Sequence, residues 1–159
     1  MGRNRLRFTA KNYGGSYRAP DNDEPLSDAE KERTKVFLKD KIKDMMKYGM
    51  PTLEKFPRRS REIADEMRRQ MITMLGLAIE LNKKYYKKTT LRDLDVALAK
   101  LKELLDVASD RDYYRKEAPP LSLHQREVWS RLNEEIGKMI GGYLQSLEEG
   151  SADKSEGTG

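Results

Sequence analysis

Apolar residues recur along this chain at spacings of three and four, in four blocks separated by polar or proline-containing stretches. In the first block Leu38, Ile42, Met45 and Gly49 follow one another at such spacings, which puts them on one helical face. Ser27 stands where a cap would, with Glu30 three residues later in the capping-box pattern. Gly49, Met50 and Pro51 predict the end of this helix, because glycine and proline punctuate helix termini. Thr52 to Pro57 then forms a short connection, with Leu53 and Phe56 turned against the helices.

The second block, Ile63, Met67, Met71, Met74, Leu75, Ala78, Leu81 and Tyr85, predicts a long helix with Ser60 as its candidate cap. Its methionines are flexible core filler. Thr90 and Asp93 repeat the capping-box spacing ahead of Leu94, Ala97, Leu98, Leu101, Leu104, Leu105 and Ala108. After a break from Asp110 to Pro120, Ser122 and Gln125 give the spacing again. Val128, Leu132, Ile136, Met139, Ile140, Tyr143 and Leu147 line the fourth helix. Nothing alternates in the manner of a strand. Four amphipathic helices with short links predict an all-α fold, an up-down-up-down four-helix bundle.

Composition sharpens the boundaries. The chain has 159 residues, is 37% charged and has a mean hydropathy of -0.90, yet its apolar residues crowd between Val36 and Leu147. Residues 1–26 therefore predict a basic N-terminal arm, 27–147 the bundle, and 148–159 an acidic disordered tail. In the arm, Phe8, Tyr13 and Tyr17 lie among arginines, which fits either a disordered lead-in or a segment that orders on nucleic acid. The net charge is +5, and the segment 36–147 carries 23 basic against 17 acidic residues. A basic body accommodates a polyanion, although such charge also serves simply to keep a protein dispersed. Cysteine is absent, so disulfide and thiolate chemistry are excluded. No apolar run has transmembrane length and no secretory signal is evident, so a cytoplasmic location away from membrane is expected.

Catalytic chemistry finds little to work with. His124 is the single histidine, and with Glu127 it lacks the repeated carboxylate–histidine pattern of a di-metal bundle. No glycine-rich loop cradles a nucleotide. We expect no enzyme, no cofactor and no metal. The informative residues are Arg58, Arg59 and Arg61, which cluster at the start of the second helix, where positive charge opposes the macrodipole. Either nearby Glu62, Asp65 and Glu66 neutralise them, or they meet phosphate, together with Arg68 and Arg69 two turns on. Gly137, Gly141 and Gly142 in the fourth helix each cost roughly 1 kcal/mol against alanine, which close approach of a second backbone, within the bundle or between subunits, would offset. Trp129 and Tyr143 are candidates for a core edge or an interface. Tyr113 and Tyr114 beside Arg111 and Arg115 fit base stacking or an ordinary helix terminus.

Two segments go further. Residues from Pro51 to Arg58 and from Leu132 to Leu144 resemble signatures of the accessory variability determinant proteins, the small helical partners of reverse transcriptase in diversity-generating retroelements. The resemblance spans about residues 36–147. It implies a four-helix protomer in a homopentamer with a tapered central channel, without polymerase activity. It further implies binding to the reverse transcriptase and to template RNA, with cDNA as a further nucleic-acid partner, in support of mutagenic cDNA synthesis. The nucleic-acid contacts carry over to Arg58 and Lys138 in the two signatures, and to Arg68 and Arg69 on the second helix. Tyr143 stands where the family often has tryptophan. The same bundle occurs in proteins encoded in intervening sequences of 23S ribosomal RNA genes. The competing expectation is thus a protein-interaction module with no reverse-transcriptase partner.

Overall fold

The computed structural model of the chain describes residues 27–83 and 87–156, with side chains over 27–29, 37–83 and 87–149. The expected arm 1–26 lies outside the described residues. Four long helices carry the fold: α1 (Asp28–Glu54), α2 (Arg61–Lys83), α3 (Lys87–Ser109) and α4 (Leu123–Glu156). Single 3-10 turns at Arg58–Ser60 and Arg111–Tyr113 precede α2 and follow α3, and no strand occurs among the described residues.

Each helix packs against its neighbours in sequence, and α1 packs against α4 to close the ring. Cross-helix pairs fix the directions. Arg126 at the start of α4 bonds Asp106 near the end of α3 at 2.7 Å, while Arg92 at the start of α3 lies 3.3 Å from Glu148 late in α4. Lys41 pairs with Glu135, and farther along α1 Gly49 meets Trp129, earlier on α4. These helices therefore run antiparallel. The four-helix bundle follows from the stripes, which meet in one core: Leu38, Ile42 and Met45; Met67, Met71, Met74 and Ala78; Leu94, Leu98, Leu101 and Leu105; Trp129, Ile136, Ile140 and Tyr143. Each such large side chain contributes about 1.5–3 kcal/mol by leaving water.

Three boundaries differ from the sequence expectation. Helix α1 does not stop at Gly49 but continues through Pro51 to Glu54. Pro51 cannot donate to Lys47, yet burial of Leu53 and a 2.7 Å bond from Thr52 Oγ1 to the Tyr48 carbonyl hold the extra turn. The helix then tightens and ends, with Lys55 N donating to Thr52 O and Phe56 N to Leu53 O. Helix α3 begins at Lys87, so Thr90 is a buried residue of its first turn and not a cap. No glycine or proline stands before Thr90 to prevent the earlier start. Helix α4 runs past Leu147 and through Gly150 to Glu156, into the acidic stretch, because a single glycine costs a helix only about 1 kcal/mol and no proline stands there.

The capping box expected at α4 is formed in both directions. Ser122 Oγ accepts from Gln125 N at 3.1 Å, and Gln125 Oε1 accepts from Ser122 N at 3.0 Å. At α1, Ser27 directly precedes the helix, and the Glu30 side chain lies outside the described residues.

Candidate functional site

Where α1 ends and α2 begins, the chain turns through Phe56 and Pro57 and leaves a cleft of about 540 Å³. Its exposed lining is chiefly polar: Arg58, Arg61 and Arg68 supply its cations, Glu54 and Asp65 stand beside them, and Leu53, Phe56, Pro57 and Ala64 complete it. The local sequence explains the shape. Pro57 is extended, with φ −65° and ψ 156°, and its carbonyl accepts from Ser60 N at 2.9 Å. This 3-10 turn projects Arg58 outward just before α2 and buries Ser60.

The arginines differ in what holds them. Arg68 Nη1 donates to Asp65 at 2.8 Å, one turn back on α2. Arg58 and Arg61 are exposed and form no ion pair among the described residues. Arg59 points elsewhere and pairs with Glu117, which ties the start of α2 to the α3–α4 connection. Arg69 bonds Glu66 at 2.7 Å, and Glu66 lines a different groove, between α2 and α3. Lys138 is exposed on α4 and does not line the cleft. The structure thus gathers Arg58, Arg61 and Arg68 and separates Arg59, Arg69 and Lys138 from them.

The packing candidates are placed as firmly. Trp129 and Tyr143 are inside the protomer, 0% and 1% exposed, rather than at a core edge. Trp129 meets Tyr48 edge-on, with ring centroids 6.3 Å apart and planes at 81°. A Cβ on Gly137 would touch Leu98 and Lys102 at an ordinary 3.5 Å. One on Gly141 would meet nothing within 4 Å, so no helix of the protomer requires a glycine there. The Gly142 carbonyl accepts Ser146 Oγ at 3.0 Å.

Sequence reasoning missed two features. Gly49, assigned to a helix stop, is the notch that admits Trp129 and Met71. Asn133 is fully buried, and neither its amide nitrogen nor its oxygen has a partner within the protein. Its spacing from Trp129 and Ile136, four and three residues, would have placed it on the core face.

Other candidate chemistry is sparse. His124 is exposed in the first turn of α4, and no cluster of three metal-ligating side chains occurs among the described residues. Tyr113 is 63% exposed, while burial raises the Tyr114 phenol above its ordinary value. No helix among the described residues is long and apolar enough to cross a membrane.

Comparison with known proteins gives one answer. No curated protein and no solved structure matches the chain significantly. A family model described as bAvd-like matches residues 36–147, which include α2 and α3, most of α1 and α4, and the cleft between α1 and α2. That family consists of accessory, non-catalytic proteins, and the match takes in well over half of the sequence. This four-helix chain belongs to the bAvd-like family.

Proposed function

We propose that the chain is a non-enzymatic accessory protein that binds a retroelement reverse transcriptase and its template RNA in the cytoplasm and supports mutagenic cDNA synthesis. The bAvd-like match over residues 36–147 carries this reading. The cleft supports it: Arg58 and Arg61 are held by no carboxylate, so their guanidinium groups are available to phosphate without breaking an existing pair. Phosphate contacts of this kind position a nucleic acid and carry little sequence information. Template choice then rests with the polymerase and with RNA shape.

The working assembly in this reading is a homopentamer. Gly141 supports self-association, because its bare backbone faces no other helix of the protomer and is open to close approach from outside. The test is co-expression with a reverse transcriptase encoded beside the gene and with that element's RNA, followed by co-purification and light scattering. A ternary complex containing five copies of this chain is the expected result. A monomer that captures neither polymerase nor RNA would leave the competing reading, a protein-interaction module without that partner.

A further inference from the structure

The cleft at the α1–α2 turn combines features that a phosphate-binding surface alone does not require. Most of its exposed lining is polar, and Phe56 adds a half-buried aromatic ring. Its volume of about 540 Å³ lies in the range of sites for small organic groups, roughly 300–1,000 Å³. A duplex does not enter a space of that size, whereas a single base with its ribose does. Arg68 pairs with Asp65 at 2.8 Å, and the uncommitted Arg58 and Arg61 complete the cationic side.

We infer that this cleft takes one unstacked nucleotide of single-stranded RNA, its phosphate on Arg58 and Arg61 and its base against Phe56. The inference rests on the nucleic-acid reading above and adds to it a place and a ligand unit. Base–aromatic stacking accounts for the ring in the lining, because every base has a π-face. The two lining carboxylates, Glu54 and Asp65, discriminate further. They accept from base N–H groups, uracil N3 included, and from the ribose hydroxyl, whereas the side chains of an acidic peptide bring them no donor. A polyanionic protein segment would satisfy the arginines and leave the ring and the acids unexplained.

Fluorescence anisotropy of the full-length protein decides the matter with three probes: labelled pentauridylate, the same backbone abasic at all five positions, and a penta-glutamate peptide. Removing the bases should weaken binding at least about five-fold, the lower end for one base on an aromatic side chain. Phe56→Leu should bring the intact and abasic probes together, and Arg58→Gln with Arg61→Gln should weaken both. Because Phe56 also packs on the core, a second measurement stands beside the variants: photocrosslinking of a 4-thiouridine oligonucleotide to the unaltered protein, mapped by mass spectrometry. Crosslinks within residues 53–68 support the site, and crosslinks confined to other segments overturn it. Equal binding of intact and abasic probes, or tighter binding of the peptide, also overturns it. Should the protein join a complex with polymerase and template while failing these tests, the accessory function stands and the cleft assignment falls. Should no complex form either, the functional reading falls with it.

Discussion

Gly49 of α1 and Trp129 of α4 approach so closely that a Cβ on the glycine would lie 2.6 Å from the indole Cζ2. Met71 Sδ from α2 would be 2.8 Å away, so three helices converge on one missing side chain. The thioether can yield, but the indole is fully buried and cannot swing clear. Overpacking typically costs about 1–3 kcal/mol. Against this, alanine gains about 1 kcal/mol over glycine in helix propensity. The clash wins because the obstructing atoms belong to a rigid ring. Gly49→Ala should therefore lower stability by about 1–2 kcal/mol in urea unfolding. An equal or higher midpoint would show that the notch is not needed.

Gly141 gives the opposite expectation. An added side chain meets nothing within 4 Å in the protomer, so Gly141→Ala should raise protomer stability by up to about 1 kcal/mol through helix propensity alone. If another subunit packs on this face, Gly141→Leu should reduce the assembled mass while leaving the helical spectrum intact. Light scattering and circular dichroism on the same sample separate the effects. Unchanged mass for the leucine variant removes Gly141 from any interface.

Asn133 lies one turn beyond Trp129, in the middle of the core, with both amide atoms unpartnered in the protein. An unsatisfied buried polar group costs about 1–3 kcal/mol, whereas leucine has the same branched skeleton and no such demand, its larger methyl groups offsetting part of the gain. Asn133→Leu should accordingly stabilise the fold, by less than the about 1–3 kcal/mol that the unpaired amide costs, with the denaturant slope unchanged. A loss of stability would mean that the amide is satisfied in solution. A reduced slope would point instead to a polar group that enforces one packing over others.

What the sequence revealed follows from which signals have a single meaning. Apolar residues at helical spacing have few uses besides a core, so the stripes through Met67, Leu98 and Ile136 and the four-helix architecture were readable. Glycine has two uses, and Gly49 before Met50-Pro51 resembles a terminus until Trp129 is seen against it. The arginines depended on helix phase. Arg61 and Arg68 are seven apart and share a face, while Arg69 is turned about 100° away. That distinction was present in the spacing. The pairing of Arg59 with Glu117 was not, since it depends on how the α3–α4 connection folds back, with Leu121 N bonding the Ala108 carbonyl at 3.1 Å.

Lys41 is buried on α1, and its ammonium group bonds Glu135 of α4. Glu135→Gln removes the charged acceptor while keeping shape, and hydrogen bonds to charged groups contribute about 1.5–3 kcal/mol. The loss should fall towards the lower figure because the Glu135 side chain is 42% exposed to screening solvent. Replacing both residues, with Lys41→Met and Glu135→Leu, should recover most of the loss, since a buried pair is often matched by apolar residues of similar volume. If the single variant unfolds at the same urea concentration as the parent, the pair contributes nothing between α1 and α4.

The arginines of α2 should separate in their salt dependence. Each phosphate contact made by a cation adds to the slope of log affinity against log salt, by roughly 0.7 for single strands. Arg58 and Arg61 carry no carboxylate partner, so their guanidinium groups meet phosphate at full charge. Arg69 is held by Glu66 at 2.7 Å on the side of α2 towards α3, and Arg59 is committed to Glu117. Arg58→Gln and Arg61→Gln together should therefore lower the slope by about 0.7, for the one phosphate they share, and weaken binding across RNA sequences to a similar extent. Arg69→Gln should leave the slope where it was. Arg59→Gln should act on stability, by well under 1 kcal/mol for an exposed pair, before it acts on RNA. Measured on one RNA strand at several salt concentrations, equal slope changes for the paired and unpaired arginines would mean that the nucleic acid follows the basic surface as a whole. A change confined to Arg58 and Arg61 would locate the contact at the α1–α2 turn.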